Sequence, residues 1–234
     1  MPPFFSLLAT GCRAMAAPGR LRRILAAGVA LALCMGLLAV ARDLPGPAAA
    51  ARYGPQAVRM YQEWTVLLNR LRDSPDPVRL GEVNQFMNRR LRFADDQTIW
   101  HQADYWPTPL ETFGKGAANC QGFTIAKYFS LRLAGVAPDK LRLTYVKARI
   151  GGPDSSISQA HMVLAYYPTP TAEPLILDNL ITSILPASQR PDLTPVFAFD
   201  AERLWVGSTR TTIDKLTRWR QVLDKMRAEG FTLP

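Results

Sequence analysis

A chain of 234 residues with 48% apolar and 20% charged residues has the composition of a folded protein, not a disordered one. The formal charge of +9 invites a nucleic-acid reading, but Arg13, Arg20, Arg22, Arg23 and Arg42 supply five of those positives with no acid among them. The remainder is mildly basic and carries no Lys/Arg run interleaved with aromatics, so nucleic acid is not an expected partner.

In chain order, residues 1–41 read as a secretory signal. Arg20, Arg22 and Arg23 precede an uncharged apolar run from Ile24 to Ala41, which ends in the small-x-small sequence Ala39-Val40-Ala41. An N-terminal anchor is the alternative, because a run of that length can just span a bilayer. Residues 42–55, rich in Pro, Gly and Ala, read as a linker, and 56–234 as one domain. Apolar spacing predicts a helix from about Gln56 to Leu71, ended by Ser74-Pro75-Asp76-Pro77, and a second over Arg79–Arg90. Phe93 to Gly116, with two tryptophans and two prolines, reads as an ordered loop on one wall of a cleft. Asn119 can cap a helix that starts at Cys120 and is apolar nearly all round, so that helix belongs in the interior. Gly135 is its natural stop.

The period then changes from 3.6 to 2. Strands are predicted at Leu141–Tyr145, Ala160–Tyr167 and Leu175–Leu180, then a hairpin of Val196–Phe199 and Leu204–Val206. A closing helix spans Thr212–Ala228. Helices, then an antiparallel sheet, then a helix make an α+β layout.

The chemistry centres on Cys120. If the signal leaves, it takes Cys12 and Cys34 with it, and Cys120 has no intramolecular disulfide partner. It is then a cross-link to another chain, an inert core thiol, or a nucleophile. If the second and third strands form a hairpin turning after Tyr167, His161 and Asp178 fall opposite or nearly opposite one another on one face. A carboxylate there would fix the imidazole, and the Cys120 helix placed against that face would bring the thiol to the other ring nitrogen. Backbone N–H groups near Cys120, with a side chain from the Gln102–Trp106 segment, are the expected oxyanion donors. Each residue also has a bland reading: a buried thiol, a satisfied core histidine, and a turn-forming aspartate before Asn179.

Several blocks resemble the bacterial transglutaminase-like cysteine proteinases of the LapG type. They include Ala103-Asp104-Tyr105-Trp106-Pro107-Thr108-Pro109-Leu110-Glu111, Cys120 itself, Ile125-Ala126-Lys127-Tyr128-Phe129-Ser130-Leu131, Ala160-His161-Met162-Val163 and Leu177-Asp178-Asn179-Leu180, with Arg190 and Asp192-Leu193 beyond. The resemblance implies a papain/transglutaminase-like fold, with N-terminal helices and a Cys-bearing helix packed on an antiparallel sheet that carries His and Asp. It implies a periplasmic cysteine endopeptidase with Cys120, His161 and Asp178 as its triad. The implied substrate is a large surface adhesin cut near its N-terminus, which controls biofilm attachment. The implied inhibitor is an inner-membrane cyclic-di-GMP receptor of the LapD type. The family's Gly-Asp-Cys-Glu-Asp pattern, whose acids help bind calcium, is replaced here by Ala118, Asn119, Cys120, Gln121 and Gly122. Calcium sites favour several oxygens with carboxylates among them, so three readings stand: a calcium-independent protease, a degenerate paralogue that only binds adhesin or receptor, or acyl transfer to an amine.

Overall fold

The computed structural model describes residues 44–232, apart from 153 and 208. The expected signal or anchor at 1–41, with Cys12 and Cys34, lies outside the described residues. Among those described, no helix is long and apolar enough to cross a membrane.

The first element falls inside the expected linker. Helix α1 (Pro47–Ala51) has a proline in its first turn and a run of alanines behind it, with Ala49 and Ala50 buried. Pro is tolerated where the first turn needs no N–H donor, and Ala is the best helix former, so this composition folds instead of linking. Helix α2 (Pro55–Leu71) buries Ala57, Met60, Tyr61, Trp64, Leu67, Leu68 and Leu71 at helical spacing. Helix α3 (Asp76–Arg90) starts earlier than expected. Pro75 and Pro77 begin this helix as well as ending the one before it, with Asp76 in the first turn, where an acid favours the dipole.

The expected loop is half regular. It holds α4 (Asp96–Trp100) and α5 (Pro109–Lys115), and at its two borders β1 (Arg92–Phe93) pairs parallel with β2 (Ala117–Ala118). The missed signal is a capping box: Thr108 accepts from the Glu111 N–H while the Glu111 carboxylate accepts from the Thr108 N–H. Gly116, at φ 57°, ends α5 in the left-handed region.

Helix α6 (Cys120–Leu133) begins and ends as the sequence predicts, and every residue from Gln121 to Leu131 is buried. It packs mainly on a seven-stranded sheet in the order β6-β5-β4-β3-β7-β8-β9. The strands are β3 (Leu141–Arg149), β4 (Ser158–Tyr166), β5 (Leu175–Leu177), β6 (Leu185–Pro186), β7 (Leu193–Phe199), β8 (Arg203–Val206) and β9 (Thr209–Thr212), all antiparallel to their neighbours. β9 takes residues next to and within the expected closing helix, so α7 starts later, as Thr217–Glu229.

Alternation divides the sheet's two faces. Leu141, Leu143, Met162, Leu164 and Tyr166 join the main core with Phe123, Phe129 and Trp219. Val146, Val163, Ala165 and Ile176 form a separate cluster on the opposite face.

Trp64 pins α2 to α6. It is fully buried, lies edge-on to Phe113 at 5.4 Å between ring centroids, and donates from Nε1 to Ser130 Oγ at 2.7 Å. Trp64→Ala should lower the unfolding free energy by about 3–5 kcal/mol in urea titrations. Trp64→Phe should cost less, about 1–3 kcal/mol, from the lost hydrogen bond and the space left by the smaller ring, since the Ser130 hydroxyl still donates to the Ala126 carbonyl at 2.6 Å.

Candidate active site

The Asn119 carboxamide fixes the start of the Cys120 helix, its Oδ1 accepting from the Gly122 N–H at 2.8 Å. Cys120 is the first helical residue and is half-buried. At a helix start the first N–H groups have no acceptor within the helix and carry partial positive charge, so the sulfur sits at the electropositive end.

The hairpin places the other two residues. β4 and β5 pair Leu164 with Leu177, so Asp178 falls opposite Val163, one step diagonal from His161. β5 ends at Leu177, and His161 Nε2 reaches Asp178 Oδ1 at 2.7 Å. Where β5 stops, α6 takes over the edge of β4: the Thr124 hydroxyl donates to the Met162 carbonyl at 2.9 Å. That docking brings the Cys120 sulfur within hydrogen-bonding reach of the His161 ring. With Nε2 committed to Asp178, Nδ1 is the nitrogen that serves the sulfur. The Cys120 Sγ also lies 3.0 Å from Gln121 Oε1, to which the thiol donates.

Asp178 is 1% exposed and densely satisfied. Oδ1 also accepts from the Asn179 and Leu180 N–H groups at 2.6 and 3.1 Å. Oδ2 accepts from Arg190 Nη2 at 2.7 Å. Its backbone carbonyl accepts from Lys127 Nζ and Asn88 Nδ2, both at 2.9 Å. Arg190 is itself held by Asp192, at 2.9 Å from Nε and 2.8 Å from Nη2. None of these supports emerges from residue spacing. Lys127 left a signal nonetheless: a cation in the middle of a helix apolar on all sides has to be buried with a partner.

The electrostatics follow. Burial pushes the Asp178 carboxyl up, but the His161 hydrogen bond and charge, then Arg190 and the Leu180 N–H, bring it down to about 2. Burial pushes His161 down, and the Asp178 hydrogen bond followed by that to Cys120 outweighs it, raising the imidazole to about 9. Burial depresses Lys127 to about 7, against the pull of Asp178. At neutral pH the site therefore holds an imidazolium between a carboxylate and a sulfur.

Within the Gln102–Trp106 segment, the Tyr105 and Trp106 donors are already committed. Trp106 Nε1 donates to Asp104 Oδ1 at 3.0 Å, and the Tyr105 hydroxyl donates to Glu111 at 2.6 Å. The Cys120 and Gln121 backbone N–H groups are the donors that helix geometry leaves for the task.

The junction where the resemblance implies calcium is built from nitrogen donors. Asn119 Nδ2 donates to Asp96 Oδ1 and to the Tyr105 carbonyl. Asp104 receives Trp106 Nε1, Gln121 Nε2 at 3.3 Å and the Arg218 guanidinium at 2.7 Å. A Cβ on Gly122 would lie 3.0 Å from Ala118 Cβ and 3.1 Å from Pro107 Cγ, so a carboxylate at that position is crowded. Among the described residues, no group of three or more His, Cys, Asp or Glu side chains converges as a metal site. As arranged, amide and guanidinium donors occupy the Asp96, Asp104 and Tyr105 oxygens that a hard cation would need.

The described geometry is that of a known protein group. The family profile for bacterial transglutaminase-like cysteine proteinases matches residues 69–192, a span that contains Cys120, His161 and Asp178. Among solved structures, Legionella pneumophila LapG is 37% identical with a TM-score of 0.68, over 77% of this chain and 94% of that one. The EGTA-treated form of that protein is 37% identical, with TM-score 0.68, over 77% and 95%. Its calcium-bound form is 39% identical, with TM-score 0.66, over 76% and 94%. No match is found among curated proteins. The chain belongs to the family of bacterial transglutaminase-like cysteine proteinases, and it is a cysteine protease of the transglutaminase-like type.

Proposed function

We propose that Cys120, His161 and Asp178 form the catalytic triad of an exported, periplasmic endopeptidase that cuts a large surface adhesin near its N-terminus and so controls attachment in biofilms. The observation that carries the triad is the line of hydrogen bonds from buried Arg190 through Asp178 to His161, with the Cys120 helix docked on the same strand by Thr124. Family membership and the likeness to Legionella LapG support the protease. The adhesin, the periplasm and regulation by a LapD-type receptor extend that reading by resemblance.

With its proton resting on His161, Cys120 Sγ attacks the scissile carbonyl carbon as a thiolate, and the oxyanion forms against the Cys120 and Gln121 N–H groups. As the C–N bond breaks, the His161 imidazolium gives its proton to the leaving amine. His161 then takes a proton from water, which attacks the thioester, releases the acid and regenerates the sulfur nucleophile. Asp178 holds the ring and stabilises its charge throughout, and Arg190 positions Asp178.

We also propose that cleavage needs no calcium, because protein donors already fill the junction at the helix start. Cleavage of an adhesin N-terminal fragment should proceed equally with chelator and with added calcium. Loss on chelation and recovery with calcium would refute that independence. Cys120→Ala should reduce cleavage by about a thousandfold or more. Normal cleavage by that variant would remove Cys120 from the mechanism, and partner binding without turnover by the unaltered protein would favour the binding-module reading.

The pH dependence has a definite sign. The His161 proton is required for leaving-group departure, so kcat/KM should fall as pH rises through about 9. Asp178→Asn removes the main stabiliser of that proton and should move the alkaline limb towards the ordinary histidine value of 6.5. By linkage, the raised pKa contributes stability that is fully present below about 6.5 and is lost as pH climbs through about 9.

A further inference from the structure

The face of the sheet turned away from the Cys120 helix holds a cavity of about 290 Å³. Val146, Val163, Ala165 and Ile176 form its apolar floor. That volume is at the small end of the range for ligand sites, about 300–1,000 Å³. Two arginines line it, and no acidic side chain does so among the described residues.

Both arginines keep buried nitrogens without an acceptor. Arg190 has a side chain only 1% exposed, and while its Nε and Nη2 are taken by Asp192 and Asp178, its Nη1 has no hydrogen-bond partner. Arg142 is stacked between two rings, 4.1 Å from the Tyr167 centroid and 4.4 Å from that of Trp205, and its Nε is buried without a partner. Stacking fixes the plane of a guanidinium and leaves its edge free to donate to the two oxygens of a carboxylate. A buried donor with no acceptor carries an unrecovered desolvation cost, which a ligand oxygen would remove.

We propose that this cavity is a binding site for a small organic carboxylate, with its apolar body on the Val146–Val163–Ala165–Ile176 floor and its carboxylate on Arg142 and Arg190 Nη1. A monoanionic carboxylate suits an apolar pocket better than a phosphate, whose second charge would cost more to desolvate. The site also has a route to the chemistry. The guanidinium that would hold the ligand holds Asp178 with its other nitrogen, and Asp178 holds His161. Occupancy therefore alters the field at His161 through Arg190 and Asp178. That coupling rests on the triad reading above, whereas the binding itself does not.

The test is calorimetric titration of the full chain with octanoate, 1-octanol and octyltrimethylammonium. Octanoate should bind saturably, one per chain, and the neutral and cationic probes should bind weaker by roughly tenfold or more. Arg142→Gln and Ala187→Leu, the second of which narrows the half-buried rim, should each weaken octanoate by roughly tenfold while cleavage is retained. The chain has two histidines, so imidazole NMR resolves the coupling: octanoate should shift His161 and leave His101 in place. Absence of saturable binding, equal affinity for 1-octanol, or unchanged affinity in both folded variants would overturn the site. Binding with an unmoved His161 resonance would overturn the coupling alone, whereas normal cleavage by Cys120→Ala would indict the triad reading and leave the binding site standing.

Discussion

Asp178 is the point on which the active-site architecture converges. Its carboxylate accepts from His161, Arg190 and two backbone N–H groups, and its carbonyl from Lys127 and Asn88. An ionised carboxylate so deeply buried is tolerable only when every lone pair is used. Those partners come from α3, α6, β4 and the segment after β6, so satisfying one charge fixes four parts of the chain about one point. The same requirement aims His161: once Nε2 is bound to Asp178, Nδ1 can only face the start of the Cys120 helix. Preorganisation of the base is thus a consequence of folding and not a separate achievement.

The helix start is held differently from its surroundings. Asp96 and Asp104 lie at the Asn119 junction, where amide donors hydrogen-bond to both and the Arg218 guanidinium offsets the charge of Asp104. Arg218 reaches Asp104 from α7, and Lys225 on the same helix binds both Glu111 and the Trp106 carbonyl. The segment before the capping box is therefore clamped by the C-terminal helix as well as by Asn119. Carboxamides in place of carboxylates make sense in this frame. Asn119 can donate to the Tyr105 carbonyl, which an aspartate could not do without a cation between them.

Much of this was legible in the sequence, because the features concerned are local. The Asn119 cap, the all-round apolar helix and the alternation in β3 and β4 depend on near neighbours, and the hairpin turn then places His161 near Asp178. The observed register puts them one diagonal step apart, within the expected range. The supports for Asp178 were not legible. Arg190 and Asn88 reach it over separations of 12 and 90 residues, and no periodicity encodes such contacts. The proline pair at 75 and 77 reads equally well as a stop and as a start, and only packing shows that it serves as both. The alanine run of α1 was hidden by Pro and Gly neighbours that signal a linker by composition.

The central claim is that Asp178 keeps His161 protonated beside Cys120 at neutral pH. NMR titration of the His161 imidazole, with His101 as internal reference, tests it directly. The account predicts a His161 midpoint at about 9. A midpoint at or below the ordinary 6.5 would contradict it, because burial would then have won over the carboxylate.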